Sequence, residues 1–224
     1  MKLSIIIPTL NEEAVIENTL KSLVNPSLEI IVVDGGSSDN TIDISQRYTS
    51  HVLSTPPLRG LQQDRGARYA GGDVLLFLHA DTLLPRDFIN IIEEIMVDPN
   101  FAFGAFRLSI YPSTPGLKLI SLAANIRSTL FKLPYGDQAI FMRKTTYLAS
   151  GGFRNLPVME DVDLVSRIKK LGRFRLVRKN IVTSARRWQK EGLLFTTLRN
   201  WLLIIRYFMG ESPSSLLRYY SDIR

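Results

Sequence analysis

The run Val74-Leu75-Leu76-Phe77-Leu78 constrains this chain more than any other stretch. Five apolar residues without alternation, opened by Gly71-Gly72 and closed by His79-Ala80-Asp81, read as a strand buried on both faces. Such a strand needs a covering layer above and below, which points to an α/β architecture. In open sheets of that kind ligands sit outside the carboxyl ends of the strands. Asp81 therefore stands where an anionic ligand or a metal would be held. The competing reading makes Asp81 only the cap of a helix running from Thr82 toward Pro85.

The same grammar continues on both sides. Residues 3–7 are a short strand rich in Ile, residues 30–33 a second buried strand, and Val52-Leu53 a minor strand. Helices fall between them. One is opened by Asn11-Glu12-Glu13, with Val15, Ile16, Leu20 and Leu23 as its stripe and Asn25-Pro26 as its stop. Others span 41 to about 48 and 61–70. Strand, helix, strand, helix with unalternated strands predicts a parallel sheet covered by helices. The second half is more mixed. A helix carries Phe88, Ile91, Ile92 and Ile95, and 101–110 is a strand whose orientation is left open toward antiparallel. An amphipathic helix covers 117–131, a strand 139–142, and a helix runs from Glu160 to Gly172. Two small strands, 174–177 and 181–183, precede a basic helical tail. One mixed, mostly parallel sheet over residues 1–190, followed by a tail over 191–224, accommodates all of these.

Composition narrows the function. At 224 residues, 45% hydrophobic and 22% charged, the chain is ordinary for one globular domain. It has no cysteine, so disulfides, thiolate metal sites and thiol nucleophiles are excluded. The opening apolar run stops at Pro8, too short for a signal peptide, and no run approaches the roughly 18 residues of a membrane span. A cytoplasmic enzyme is the expectation. The net charge of +7 suits a phosphorylated substrate, an anionic membrane surface or nucleic acid. The acids crowd the first hundred residues and the last fifty carry most of the excess base. No RNA-binding signature accompanies that charge, so a nucleic-acid partner is not expected.

Several chemistries fail for want of their motifs. Where a dinucleotide fingerprint would lie, the chain has Pro8-Thr9-Leu10-Asn11-Glu12-Glu13, and no phosphate loop with Gly-Lys-Ser/Thr occurs. His51 and His79 are the only histidines, and no Gly-x-Ser-x-Gly elbow exists for serine hydrolysis. What remains is a set of acids at strand ends or helix starts: Asp34, Asp81 and Asp161.

Taken together, Ser4-Ile5-Ile6-Ile7-Pro8-Thr9-Leu10-Asn11-Glu12-Glu13, Val33-Asp34-Gly35-Gly36-Ser37-Ser38-Asp39-Asn40-Thr41, His79-Ala80-Asp81 and Glu160-Asp161 resemble glycosyltransferase family 2. The motifs keep the family's order and spacing over roughly residues 1 to 170. Gly136-Asp137-Gln138, Gly151-Gly152-Phe153 and Ala185-Arg186-Arg187-Trp188 resemble a short bacterial subgroup of it. The resemblance implies a GT-A fold, a nucleotide-diphosphate sugar donor (UDP-linked by preference), a divalent cation and inversion at the anomeric carbon.

It also implies roles. Asp34 would accept a hydrogen bond from the imide of the base, the alternative being an Asx turn before Gly35-Gly36. Pro8, Thr9 and Glu12 would line base and ribose, and Arg59 and Gly66 the nucleotide side. Asp81 matches the acid that ligates the metal, Mn²⁺ or Mg²⁺. His79 replaces the first acid of that motif and would either ligate Mn²⁺ or hydrogen-bond the ribose or the donor sugar. Asp161 matches the general base and Glu160 would hold it, although helix N-termini favour acids anyway. Asp137, Gln138, Arg187 and Trp188 would face the acceptor or the diphosphate.

Ser184 stands where processive members have Gln, so transfer of a single sugar is expected, to a glycan, lipid-linked or small-molecule acceptor. The alternative is a catalytically silent nucleotide-sugar binding module. The tail from Leu193 to Ile223, basic and rich in Leu, Ile and Trp201, would pack on the domain, on a second subunit or on the inner face of a membrane.

Overall fold

The apolar runs become the middle of one eight-stranded sheet in the computed structural model, which describes residues 1–219. The strands are β1 (Leu3–Thr9), β2 (Leu28–Asp34), β3 (His51–Ser54), β4 (Val74–Phe77), β5 (Thr82–Leu83), β6 (Phe101–Tyr111), β7 (Phe141–Arg143) and β8 (Arg173–Ser184), in the order β3-β2-β1-β4-β7-β6-β8-β5. The first four in that order are mutually parallel. β7 is antiparallel to both β4 and β6, while β6 and β8 run parallel, so the sheet is mixed only in its second half.

Among the described residues ten α-helices accompany it: α1 (Ile16–Ser22), α2 (Thr41–Gln46), α3 (Arg59–Tyr69), α4 (Phe88–Val97), α5 (Pro115–Phe131), α6 (Lys144–Ala149), α7 (Glu160–Ile168), α8 (Arg186–Glu191), α9 (Leu193–Phe208) and α10 (Pro213–Leu216). One apolar layer packs Ile5, Ile7, Val32 and Leu76 against α1 and α4, and the other packs Ile6, Ile31, Val33 and Leu75 against α3 and α7. The alternation within each strand feeds both layers, which is why the runs are uninterrupted.

Some boundaries differ from the sequence reading. Thr82-Leu83 pairs antiparallel with Val182-Thr183, so Asp81 precedes a strand and does not cap a helix there. The first helix begins at Ile16 and not at Asn11, because Asn11 adopts φ 52°, outside helical geometry. The two small strands after Gly172 are one strand, β8, whose register slips opposite Phe106 and Arg107. In the tail, α9 and α10 form, while residues 220–224, including Ile223 and Arg224, lie outside the described residues.

Candidate active site

The carboxyl ends of β1, β2 and β4 lie side by side, and each delivers a polar residue. Thr9 is in register with Asp34, and its hydroxyl donates to Asp34 Oδ1 at 3.0 Å. The N–H groups of Gly36 and Ser37 donate to Oδ2 at 2.8 and 2.7 Å, and the Ser37 hydroxyl donates to Oδ1 at 2.5 Å. Asp34, fully buried, thus closes the Asx turn that the sequence offered as its alternative role. The Gln62 amide, also buried, donates to the carbonyls of Thr9 and Val33 at 2.7 and 2.8 Å, bracing the two strand ends against α3. Pro8, half-buried, sits beside this brace. Gly66 does not face the cleft. It lies under the sheet, where an added Cβ would come 2.5 Å from Ile6 Cγ2, so its role is close helix–sheet packing and not nucleotide contact.

Glu12, on the β1–α1 turn, accepts from Arg186 at 2.6 Å, and the same guanidinium nitrogen lies 3.9 Å from Asp81 Oδ2. Burial pushes the Glu12 carboxyl above its ordinary pKa, with Asp81 adding to that shift and Arg186 opposing it. Asp81 Oδ1 also accepts from the Thr183 hydroxyl at 3.3 Å, and the Thr19 hydroxyl donates to the Ala80 carbonyl at 2.7 Å, fixing the step after β4.

Beyond Asp81 opens a cavity of about 380 Å³. Its wall includes Arg59, His79, Asp137, Glu160, Asp161 and Arg187. Asp161 sits in the first turn of α7, and both its oxygens are held: Gly136 N–H donates to Oδ2 and Val162 N–H to Oδ1, each at 2.7 Å. Gly136 is the contact between two parts of the site, since a Cβ there would lie 3.1 Å from His79 Nε2 and 3.5 Å from Asp161 Oδ2. Asp137, next in the chain, has its carboxyl pushed up to about 6, first by burial and further by Asp161 and Asp81, against the pull of Arg127. Its Oδ1 is buried with no donor in reach. Tyr135, over whose ring the Arg127 guanidinium lies at 3.2 Å, is raised to about 12 by the same burial. One wall residue of this cavity, Met159, has positive φ (65°) and stands directly before Glu160. Backbone held in that region costs about 1–3 kcal/mol per residue, and such strain collects at functional turns.

A divalent cation fits here on one condition. Among the described residues no three His, Asp or Glu side chains are grouped to hold a metal ion, so Asp81 and His79 would supply only part of a coordination shell. Phosphate oxygens and water would complete it, which is how Mg²⁺ is commonly held at phosphorylated substrates. The undonated Oδ1 of Asp137, beside two other acids, is a further sign that positive charge is called for.

Two residues expected at the acceptor or diphosphate side are elsewhere. Gln138 is fully buried, its oxygen accepting from Ser128 at 2.6 Å and Arg127 at 3.1 Å and its amide donating to the Phe106 carbonyl at 3.0 Å. It is a strut beneath the Gly136–Gln138 turn. Trp188, half-buried, packs on the main apolar cluster with its indole N–H buried and without an acceptor, and it is not part of the cavity wall. Conversely, Gln62 was not singled out from the sequence, and Arg186 entered only as part of the Ala185-Arg186-Arg187-Trp188 motif with no role assigned to it. Only their partners, 53 and 174 residues away, reveal them.

Comparison with known proteins places this geometry. The model of the family described as "Glycosyl transferase family 2" matches residues 4–154. Among curated relatives, the "Probable glycosyltransferase YdaM" of Bacillus subtilis is 29% identical over 198 residues, 76% of this chain and 47% of that protein. A "PGL/p-HBAD biosynthesis glycosyltransferase" of Mycobacterium tuberculosis is 37% identical over 177 residues, 67% of this chain and 62% of that one. This chain thus spans less than two thirds of the length of either relative. Among solved structures, the mannosyltransferase PcManGT from Pyrobaculum calidifontis, in complex with GDP-Man and Mn²⁺, superposes with a TM-score of 0.71 at 19% identity, over 97% of this chain and 68% of that one. Residues 1–349 of S. aureus TarS with UDP-GlcNAc give 0.65 at 19% identity, over 82% and 58%. The fold is the GT-A fold of these enzymes, and the chain belongs to glycosyl transferase family 2.

Proposed function

We propose that this chain transfers one sugar from a nucleotide-diphosphate donor, a UDP sugar by preference, to an acceptor hydroxyl with inversion at the anomeric carbon. The observation that carries the reading is the placement of Asp161. Its carboxylate is anchored by two backbone N–H groups at the wall of a cavity that also receives His79, Arg59 and Arg187. In this reading the acceptor enters on the Asp161 side. Its oxygen forms a bond to the anomeric carbon while its proton passes to an Asp161 oxygen, and the bond to the diphosphate oxygen breaks with the electron pair leaving on the nucleotide diphosphate. Arg59 and Arg187 bring positive charge toward that leaving group, and Glu160 holds the first turn of α7. Asp81 and His79 would hold a divalent cation, which when bound would neutralise charge on the diphosphate.

Asp34 and Thr9 support the donor end by fixing the β2 loop, and reading of a base by Asp34 would require exchange of one of its present donors. The relatives' bound donors, UDP-GlcNAc in one structure and GDP-Man in another, keep both nucleotides in the experiment. Thermal shift with a panel of UDP- and GDP-sugars, with and without Mn²⁺, should give a Mn²⁺-dependent rise for one donor class, because a ligand that binds only the folded state raises its stability by mass action. Release of nucleotide diphosphate from that donor then separates an enzyme from a silent binding module. A chain that binds donor and turns over none, with water or any offered acceptor, overturns the catalytic reading.

A further inference from the structure

α9 is built inside out. A helix on a soluble domain turns its apolar stripe to the core and its polar face to water. Here the buried positions of α9 are Thr196, Arg199 and Leu203. Arg199 is tied beneath the helix to Glu191 in a pair whose side chains are only 7% and 6% exposed. The outward stripe, by contrast, is Leu194, Leu198, Trp201, Leu202, Ile205 and Phe208, each between 45% and 73% exposed. These fall at i, i+4, i+7, i+8, i+11 and i+14, one continuous face.

A second helix meets it. Gly116, in the first turn of α5, abuts Leu193 at the start of α9, where an added Cβ would come 2.7 Å from Leu193 Cδ1. α5 also exposes a stripe, Leu119, Leu122, Ile126 and Leu130, at i, i+3, i+7 and i+11. An exposed apolar surface of this extent on a soluble domain marks something that covers it.

The charge pattern says what. Residues 112–134 contain Lys118, Arg127 and Lys132 and no acid, and residues 192–210 contain Arg199 and Arg206 and no acid. The first acid beyond, Glu211, is paired to Arg206 and Arg218. Arg199 turns inward to Glu191 and Arg127 lies over the Tyr135 ring, so the exposed charges beside the stripes are Lys118 and Lys132, with Arg206 next to Glu211 at the far end of α9. Apolar stripes with Trp and Leu, on helices that carry bases and no acid, are the composition of helices that lie in the interface of an anionic bilayer. No helix among the described residues is long and apolar enough to cross a membrane, so the contact is along the surface.

We propose that the outer face of α9, joined by α5, seats this chain on a bilayer carrying anionic headgroups. α9 is also a wall of the cavity, to which it gives Asn200, Leu203 and Ile204. Docking therefore acts on the helix that borders the site.

The test does not depend on catalysis. The chain has two tryptophans, Trp188 half-buried against the main apolar cluster and Trp201 on the proposed face. With vesicles of phosphatidylglycerol and phosphatidylcholine in equal parts, the full chain should float with the lipid and its emission should shift to the blue. With phosphatidylcholine alone, or in high salt, binding should weaken, as the charge component is screened. Leu198→Glu/Trp201→Glu places two acids on an exposed stripe, and it should reduce the bound fraction by about ten-fold or more while circular dichroism stays native. Trp201→Phe should remove the blue shift and keep flotation. Failure of the wild type to float, or equal flotation of the double glutamate variant, overturns the proposal. So does light scattering that shows a dimer in solution which the glutamate variant dissociates, since the face would then cover a second copy.

Discussion

Replacing Asp161 by Asn tests the proposed base with the least disturbance, and the structure sets the size of each effect. Asp161 accepts one N–H on each oxygen, from Gly136 and from Val162. Asn keeps one acceptor and turns an amide toward the other N–H, losing one hydrogen bond worth about 1 kcal/mol. It also removes a negative charge from the first turn of α7, worth about 0.3–1 kcal/mol at a helix N-terminus. The variant should therefore unfold about 1–2 kcal/mol more easily in urea. For a domain of ordinary stability, about 5 kcal/mol or more, over 99% of the molecules stay folded after that loss. Unfolding thus cannot lower the rate appreciably. Turnover, followed as nucleotide diphosphate released, should nevertheless fall by about 10²–10⁴-fold, the usual worth of acid–base catalysis. Donor affinity measured by calorimetry should change by less than about two-fold, because the lost interaction belongs to the transition state. An unchanged rate refutes the assignment. Equal losses in donor affinity and in kcat/KM refute it too, since they would make Asp161 a donor-side residue.

Three further outcomes are expected. Asp81→Ala should abolish the Mn²⁺ dependence of donor-induced thermal shift, and a variant with unchanged Mn²⁺ response would remove Asp81 from the metal site. Asp137 binds its proton more tightly when folded, about 6 against an ordinary 3.8, so its contribution to stability is present below pH 4 and lost as pH rises through about 6. Relative to wild type, Asp137→Asn should gain roughly 1–3 kcal/mol between pH 4 and pH 7 in urea titrations, and parallel pH profiles would show that the carboxyl is not buried as described. Gly66→Ala forces a methyl to within 2.5 Å of Ile6 Cγ2, and should destabilise by about 1–3 kcal/mol with an unchanged denaturant slope, against a gain of under about 1 kcal/mol in helix propensity.

What could be read from the sequence was what depends on neighbours along the chain. β1, β2 and β4 are legible because burial on both faces gives each a run of consecutive apolar residues, Ile5-Ile6-Ile7, Ile30-Ile31-Val32-Val33 and Val74-Leu75-Leu76-Phe77. The acids that close β2 and precede α7 are legible because strand ends and helix starts have their own chemistry. β5 was missed because two residues make a strand only by pairing with β8, a hundred positions away. β8 was read as two strands because Arg178-Lys179-Asn180 is exposed and breaks the pattern, yet a shifted register carries the ladder across it. The start of α1 was misplaced because the stretch after Asn11 first closes a separate turn, with Val15 and Ile16 N–H on the Glu12 carbonyl, and becomes helix only from Ile16. Tail residues were the hardest. α9 satisfies helical periodicity equally well with its apolar stripe inward or outward, and periodicity alone does not say which.

The charge distribution illustrates the same limit from another side. The acidic first hundred residues and basic last fifty read, in sequence, as a surface prepared for anionic partners. In the fold part of that asymmetry is satisfied internally: Arg186 pairs with Glu12 across 174 residues, and Lys179 with Asp87 at 3.3 Å. The pairing is not uniform, and the difference is informative. Arg186 is spent on Glu12 and Asp81, two carboxylates brought close by the ends of β1 and β4, and without it they would repel each other. Of the bases on α5 and α9, Arg199 turns inward to Glu191, Arg206 reaches Glu211 and Arg127 lies over the Tyr135 ring, which leaves Lys118 and Lys132 as the exposed bases at the two ends of α5. Arg186 therefore holds an acidic site together from within, whereas Lys118 and Lys132 are exposed on the helix that carries the outer apolar stripe of α5. A single net charge of +7 conceals this division, and only the fold separates the bases that build the site from those available to a surface.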